Sequence, residues 1–218
     1  MTLGGVAWKY LTSRPLVTAL TVAGVALGVA LICATLTLRR ETERAFIEET
    51  AIFDLVVGAK GSPLQLVLSS VYHMDMPTGN IPYARYEALK RDRRVLNAYP
   101  LGLGDNHEGF RIIGTEPRFF ELVRRDPDSD INPPVFSFAE GGAFGEPFEA
   151  VLGSYVAEQT GLRMGDEFFG THGLSAAPGA ESHDDFPYEV VGILEPSGTV
   201  SDRGIYVDLV SVWKVHEK

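Results

Sequence analysis

Lys60 stands in the loop Gly58-Ala-Lys60-Gly61-Ser62-Pro63, just behind the β-rich run Phe53–Val57. A strand, a glycine loop, a lysine and a hydroxyl are the parts of a phosphate cradle. Their order is wrong for one. A P-loop reads G-x-x-x-x-G-K-[ST], so that backbone N–H groups and the lysine ammonium surround the phosphates. Here the lysine precedes the second glycine, and Pro63 removes an N–H that a phosphate would use. Ser62 and Pro63 have the types that begin a helix, serine at the N-cap and proline at the first helical position. The loop is therefore read as a turn. Leu64, Leu66, Val67, Leu68 and Val71 are expected to give the helix after it a broad buried face.

Histidine and aspartate offer a second chemistry. His172, His183, Asp184 and Asp185 share the small-residue loop Thr171–Asp185, and His107 lies in another turn. Imidazole and carboxylate groups ligate zinc, but no H-x3-H spacing is present. The expectation is no metal and no cofactor; if a metal did bind, His172, His183, Asp184 and His107 are the residues that would hold it. The acids between positions 126 and 130 read as solvated loop residues. There is no G-x-S-x-G elbow, and Gly153-Ser154 reads as a helix cap. The single cysteine, Cys33, falls in an apolar segment, which leaves the rest of the chain without a disulfide or thiolate site. No catalytic constellation emerges.

The elements that carry these residues start with that segment. Pro15–Leu38 runs for 24 residues without a charge. As a helix it reaches ~36 Å, more than a hydrocarbon core of ~30 Å requires. A cleaved signal has a shorter apolar region and a small-residue cleavage site; this run ends in Thr35-Leu-Thr-Leu-Arg-Arg40. A lipoprotein signal wants a small residue before its cysteine, and Ile32 precedes Cys33. A buried core helix is seldom so long. The segment is read as a retained transmembrane helix, after a short polar, cytoplasmic lead (1–14) with Trp8 and Tyr10 at the interface. Residues 39–52 continue as a helical stalk. Lys9 and Arg14 before the span nearly balance Arg39, Arg40 and Arg44 after it, so flanking charge does not set its orientation. All 29 acidic residues follow the span, which makes the outer part more acidic than the net charge of −10 for the whole chain. Such a surface repels nucleic acid and anionic lipid.

Beyond the stalk the pattern is mixed. Asp54–Val57 reads as a buried strand, Pro82 opens a helix, and "VLNAYPLGLGD" and "GFRIIGTE" read as two strands joined near His107. Arg124–Pro134 is a polar, proline-bearing loop. Phe148–Leu152 is a strand, Ser154 caps a short helix and Gly161 ends it. "PYEVVGIL" and "DRGIYVDL" are two more strands.

In order, the apolar span, "DLVVGAKGSPLQLVLSSVYHM", "RIIGTEPRFFEL", "EAVLGSYVAEQTGLRMGDEF" and "YEVVGILEPSGTVSDRGIYVDL" resemble the MacB-like periplasmic core domain of FtsX-like ABC-transporter permeases. The resemblance covers nearly the whole chain. It implies an α+β fold: an N-terminal transmembrane helix, then a two-subdomain mixed α/β periplasmic domain over 53–218, with an inserted subdomain at roughly 125–185. It also implies three further spans, which are not in this sequence, so the chain is read as a truncated permease or a fragment. The implied function is coupling of ATP hydrolysis on a partner ATPase subunit to periplasmic domain motion and substrate export or extraction, in the bacterial inner membrane. The implied partners are that ATPase, a second permease copy or homologue, and a periplasmic protein. The chain itself would not be an enzyme. Two other readings stay open: a membrane-anchored hydrolase, for which no nucleophile and base are found, and an anchored periplasmic module that binds a ligand or metal.

Overall fold

A computed structural model describes residues 2–50, 52–124, 132–173 and 185–216. It divides into two units, Met1–Glu48 and Glu49–Lys218.

The first unit is helical. α1 (Leu3–Ser13) covers most of the lead, which is thus a helix and not only a polar segment. Arg14 breaks it with φ −132° and ψ 67°, because the proline ring at position 15 disfavours helical geometry in the residue before it. α2 (Pro15–Thr50) then runs for 36 residues without interruption, about 54 Å at the usual helical rise. Its stretch Pro15–Thr42 is long and apolar enough to cross a membrane. Leu16, Leu27 and Leu38 are each at least 70% exposed, which is tolerable where lipid replaces water. The hydroxyls of Thr21, Thr35 and Thr42 donate to the carbonyls of Val17, Leu31 and Leu38 at 2.8–2.9 Å. Each is satisfied within the helix, as hydrocarbon demands.

The second unit begins with α3 (Pro63–Ser70) and α4 (Tyr83–Lys90) and is built on one mixed sheet of eight strands: β1 (Gly102–His107), β2 (Phe110–Thr115), β3 (Phe138–Gly141), β4 (Glu149–Leu152), β5 (Glu167–Phe168), β6 (Thr171–His172), β7 (Tyr188–Leu194) and β8 (Gly204–Asp208). The order is β3-β7-β4-β8-β2-β1-β6, with β5 also paired to β7. β2–β8 and β4–β7 are parallel and the other pairs antiparallel. The strands lying between positions 125 and 185 therefore belong to the same sheet as those outside that stretch. Alternation sends neighbouring side chains to opposite faces. Ala150, Leu152, Ile205, Val207 and Ile112 enter one core with Val156 of α5 (Ser154–Thr160) and Val212 of α6 (Leu209–His216). Val151, Tyr206 and Ile113 enter a second core, rich in aromatics, with Phe119, Phe120, Phe136 and Phe144. Both faces are covered, which is why β8 reads as an unbroken apolar run.

Three local expectations change. Asp54–Val57 is irregular chain outside every strand of the sheet, and Leu55 is 73% exposed; a β-forming sequence makes a strand only where it finds a partner. α3 (Pro63–Ser70) does start on the Ser62 cap and Pro63, with the Ser62 hydroxyl accepting from the Gln65 amide at 3.5 Å. Its apolar face is only partly buried, however: Leu66, Val67, Leu68 and Val71 are half-buried, Leu64 is 67% exposed, and only Ser69 is fully buried. Lastly, Ser154 is the first residue of α5 and Gly153 is the cap. A side chain at Gly153 would lie 2.3 Å from the carbonyl oxygen of Asp202, so glycine is required there for close backbone approach.

Candidate functional site

Asp105, His172 and His216 meet at one edge of the sheet, although they come from distant parts of the sequence. The first contact is set by strand register. In the antiparallel β1–β6 pair, Asp105 lies opposite His172, so their side chains share a face at cross-strand distance. His172 Nδ1 is 3.0 Å from Asp105 Oδ1. The β1–β2 ladder shifts register between Leu103 and Asn106, and such an irregularity re-aims the side chains that follow it. Asn106 fastens β6 in place: its amide donates to the carbonyls of Thr171 (3.2 Å) and Gly173 (3.0 Å), and the Thr171 hydroxyl donates back to the Asn106 carbonyl (3.1 Å).

The third residue arrives on a helix. α6 lies across Gly102 and Gly114, which are directly paired on β1 and β2. A Cβ at Gly102 would be 2.8 Å from Leu209 Cδ1, and one at Gly114 would be 2.6 Å from Val212 Cγ2. The two glycines form a seat that only bare backbone leaves open. Seated there, the helix delivers His216 Nε2 to 3.5 Å from the same Asp105 Oδ1. The other ring nitrogen of His216, Nδ1, is 2.6 Å from the Val212 carbonyl. A carbonyl only accepts, so Nδ1 carries the proton in this contact. The two imidazole rings stand 4.9 Å apart, edge to face.

The surroundings are charged and partly buried. Asp105 is 2% exposed, while the two histidine side chains are 39% and 38% exposed. Arg111, itself buried, interacts with the charges of Asp75 and Asp105; burial holds its pKa below the ordinary value and those two carboxylates oppose the shift. Its N–H groups donate to the carbonyls of Asp75 (2.7 Å) and Gly173 (3.4 Å). Burial raises the pKa of the Tyr188 hydroxyl, and the negative charge of Asp105 raises it further.

The residues singled out from the sequence fare differently. His172 belongs to this cluster. His107 does not: its Nδ1 is 2.8 Å from the Phe169 carbonyl and its ring lies 4.8 Å from that of Phe168, beside an open depression lined by Glu108, Leu162 and Glu167. His183 and Asp184 lie outside the described residues, and Asp185 is exposed. Asp105 and His216 were not legible as partners, because register and helix seating bring them together and no spacing announces it. The Lys60 loop is an ordinary turn, tied down by the Thr78 hydroxyl donating to the Ala59 carbonyl at 3.1 Å.

Comparison with protein families decides the broader class: the model of the MacB-like periplasmic core domain matches residues 18–217. The chain belongs to this family. The MacB-like domain thus comprises almost everything described above, from the stretch of α2 that is long and apolar enough to cross a membrane to α6, and the chain is a domain of the ABC-transporter type. No curated protein matches. Among solved structures, the extracellular domain of the noncanonical ABC-type transporter YknZ from Gram-positive bacteria is similar, at 12% identity. The likeness covers 63% of this chain and 67% of that one, with a TM-score of 0.40.

Proposed function

We propose that this MacB-like chain is part of a permease subunit that couples ATP hydrolysis by a partner ATPase to motion of its outer domain, and through that motion to export or extraction of a substrate. The inner membrane is its place in this reading, with residues 53–218 in the periplasm. The family match supports the class. The single observation that carries the mechanism is α2, one helix from Pro15 to Thr50, well beyond the ~30 Å that a bilayer crossing needs. It has no proline after Pro15 and no glycine after Gly28, so nothing in its outer half loosens or kinks it. A helix of that kind transmits tilt and rotation.

The reading is tested by affinity capture of the full-length protein from detergent-solubilised membranes. An ABC ATPase should co-elute in stoichiometric amount and hydrolyse ATP. Capture of the intact protein with no ATPase, under conditions that keep known transporters assembled, would contradict the reading and favour an anchored binding module.

A further inference from the structure

We propose that Asp105, His172 and His216 form a binding site for one first-row divalent metal ion, with zinc as the probe of choice. Nothing in this proposal depends on the transport reading. Their potential ligand atoms all lie within 4.8 Å of one another. Zinc bound to imidazole nitrogen and carboxylate oxygen at about 2.0–2.1 Å places neighbouring tetrahedral ligands about 3.3 Å apart. The two histidine-to-aspartate distances, 3.0 and 3.5 Å, straddle that value.

The proton arrangement also fits. With its Nδ1 proton given to the Val212 carbonyl, a neutral His216 turns the Nε2 lone pair toward the Asp105 carboxylate. A backbone carbonyl holding the far nitrogen is the usual way in which a ligating histidine is oriented. The guanidinium of Arg111 donates to the carbonyls of Asp75 and Gly173, and its charge acts on Asp105 without a ligand atom of its own. The carboxylate is buried and the histidines are partly open to solvent, so an ion has an entry path. Two nitrogens and one oxygen suit Zn²⁺ and its first-row neighbours better than Ca²⁺ or Mg²⁺, which prefer all-oxygen sites. Bound there, the ion would clamp β1, β6 and the last turn of α6 together.

The test is zinc titration of the detergent-solubilised chain by calorimetry, with cobalt absorption as a second readout. One equivalent should bind, raise Tm, and give Co²⁺ the intense visible bands of a low-coordinate site. His172→Gln and His216→Gln should each weaken binding by about tenfold or more. Each variant takes an imidazole away from the buried Asp105 carboxylate, so binding is read on protein that near-ultraviolet circular dichroism shows to be folded. His107→Gln should bind as the parent does. Failure to bind zinc at about 1 mM, far above the range of a three-ligand site, would overturn the proposal. So would one-equivalent binding that both glutamine variants leave unchanged.

Discussion

Phe53 stacks on Phe119, ring centroids 6.2 Å apart and planes inclined by 25°. Phe53 and its neighbour Ile52 are the first residues described after α2, and both pack against the aromatic core that also holds Phe120, Phe136 and Tyr206. Residues 52 and 53 are thus held by the most densely aromatic part of the second unit. Aromatic pairs of this kind add to simple area burial. Phe53→Ala should cost about 2 kcal/mol, less than a fully buried phenylalanine because Phe53 is only half-buried. Urea unfolding monitored by near-ultraviolet circular dichroism measures it; a change below about 0.5 kcal/mol would show that the stack holds nothing.

The seat of α6 gives a second expected outcome. Gly114→Ala puts a methyl 2.6 Å from Val212 Cγ2 and 3.4 Å from the Leu209 backbone. Overpacking of this kind costs about 1–3 kcal/mol. Val212→Ala makes room for the methyl, so the double variant should be more stable than the sum of the two single effects predicts. Additive losses in urea denaturation would mean that the helix is not seated on Gly114.

His73 supplies a pH dependence. Burial pushes its pKa down from 6.5 to about 4; the hydrogen bond between Nδ1 and the Ser69 carbonyl opposes the shift, and the charge of Arg111 adds to it. Between pH 6.5 and about 4 the unfolded chain binds a proton at this position that the folded chain refuses. Stability therefore falls as pH drops through that window and levels off below it, as far as this group is concerned. His73 has φ 53°, a conformation that asparagine tolerates. His73→Asn should flatten the decline in unfolding midpoint over the upper part of the window. A decline as steep as the parent's would assign it to other groups.

The Ser62 cap is the mildest case. Its contact with the Gln65 amide is long, 3.5 Å, so Ser62→Ala should cost only about 0.5 kcal/mol, the low end for an N-cap. Nucleotide affinity should be nil before and after the change. ATP binding abolished by Lys60→Ala would restore the phosphate-cradle reading.

These residues show what the sequence could and could not reveal. The span was legible because 24 uncharged residues have few other uses. The Ser62-Pro63 start and the Gly161 stop were legible because caps are local chemistry; Gly161 indeed takes the left-handed conformation, φ 74°. Short β-forming runs mislead because strand formation needs a neighbour: the stretch Asp54–Val57 has the residue types of a strand and no partner strand. The Asp105–His172–His216 cluster depends on an antiparallel register, a ladder irregularity and a pair of glycines under a helix. Each is a long-range event that no window of sequence contains.

In the proposed transport mechanism α2 transmits work as a stiff rod. A Gly-Gly-Ser insertion between Arg44 and Ala45 tests it most directly, in the full-length transporter with its ATPase. The insertion falls within α2 and beyond Thr42, the end of the membrane-crossing stretch, and glycine there provides the loose joint that the native sequence lacks. The measurement is the export-dependent phenotype of a deletion strain complemented with the inserted protein, scored beside its membrane level and ATPase rate. Rigid coupling through α2 predicts normal membrane insertion, retained ATP hydrolysis and loss of the phenotype. Full complementation by the inserted protein would contradict it and leave the outer domain a tethered substrate handler.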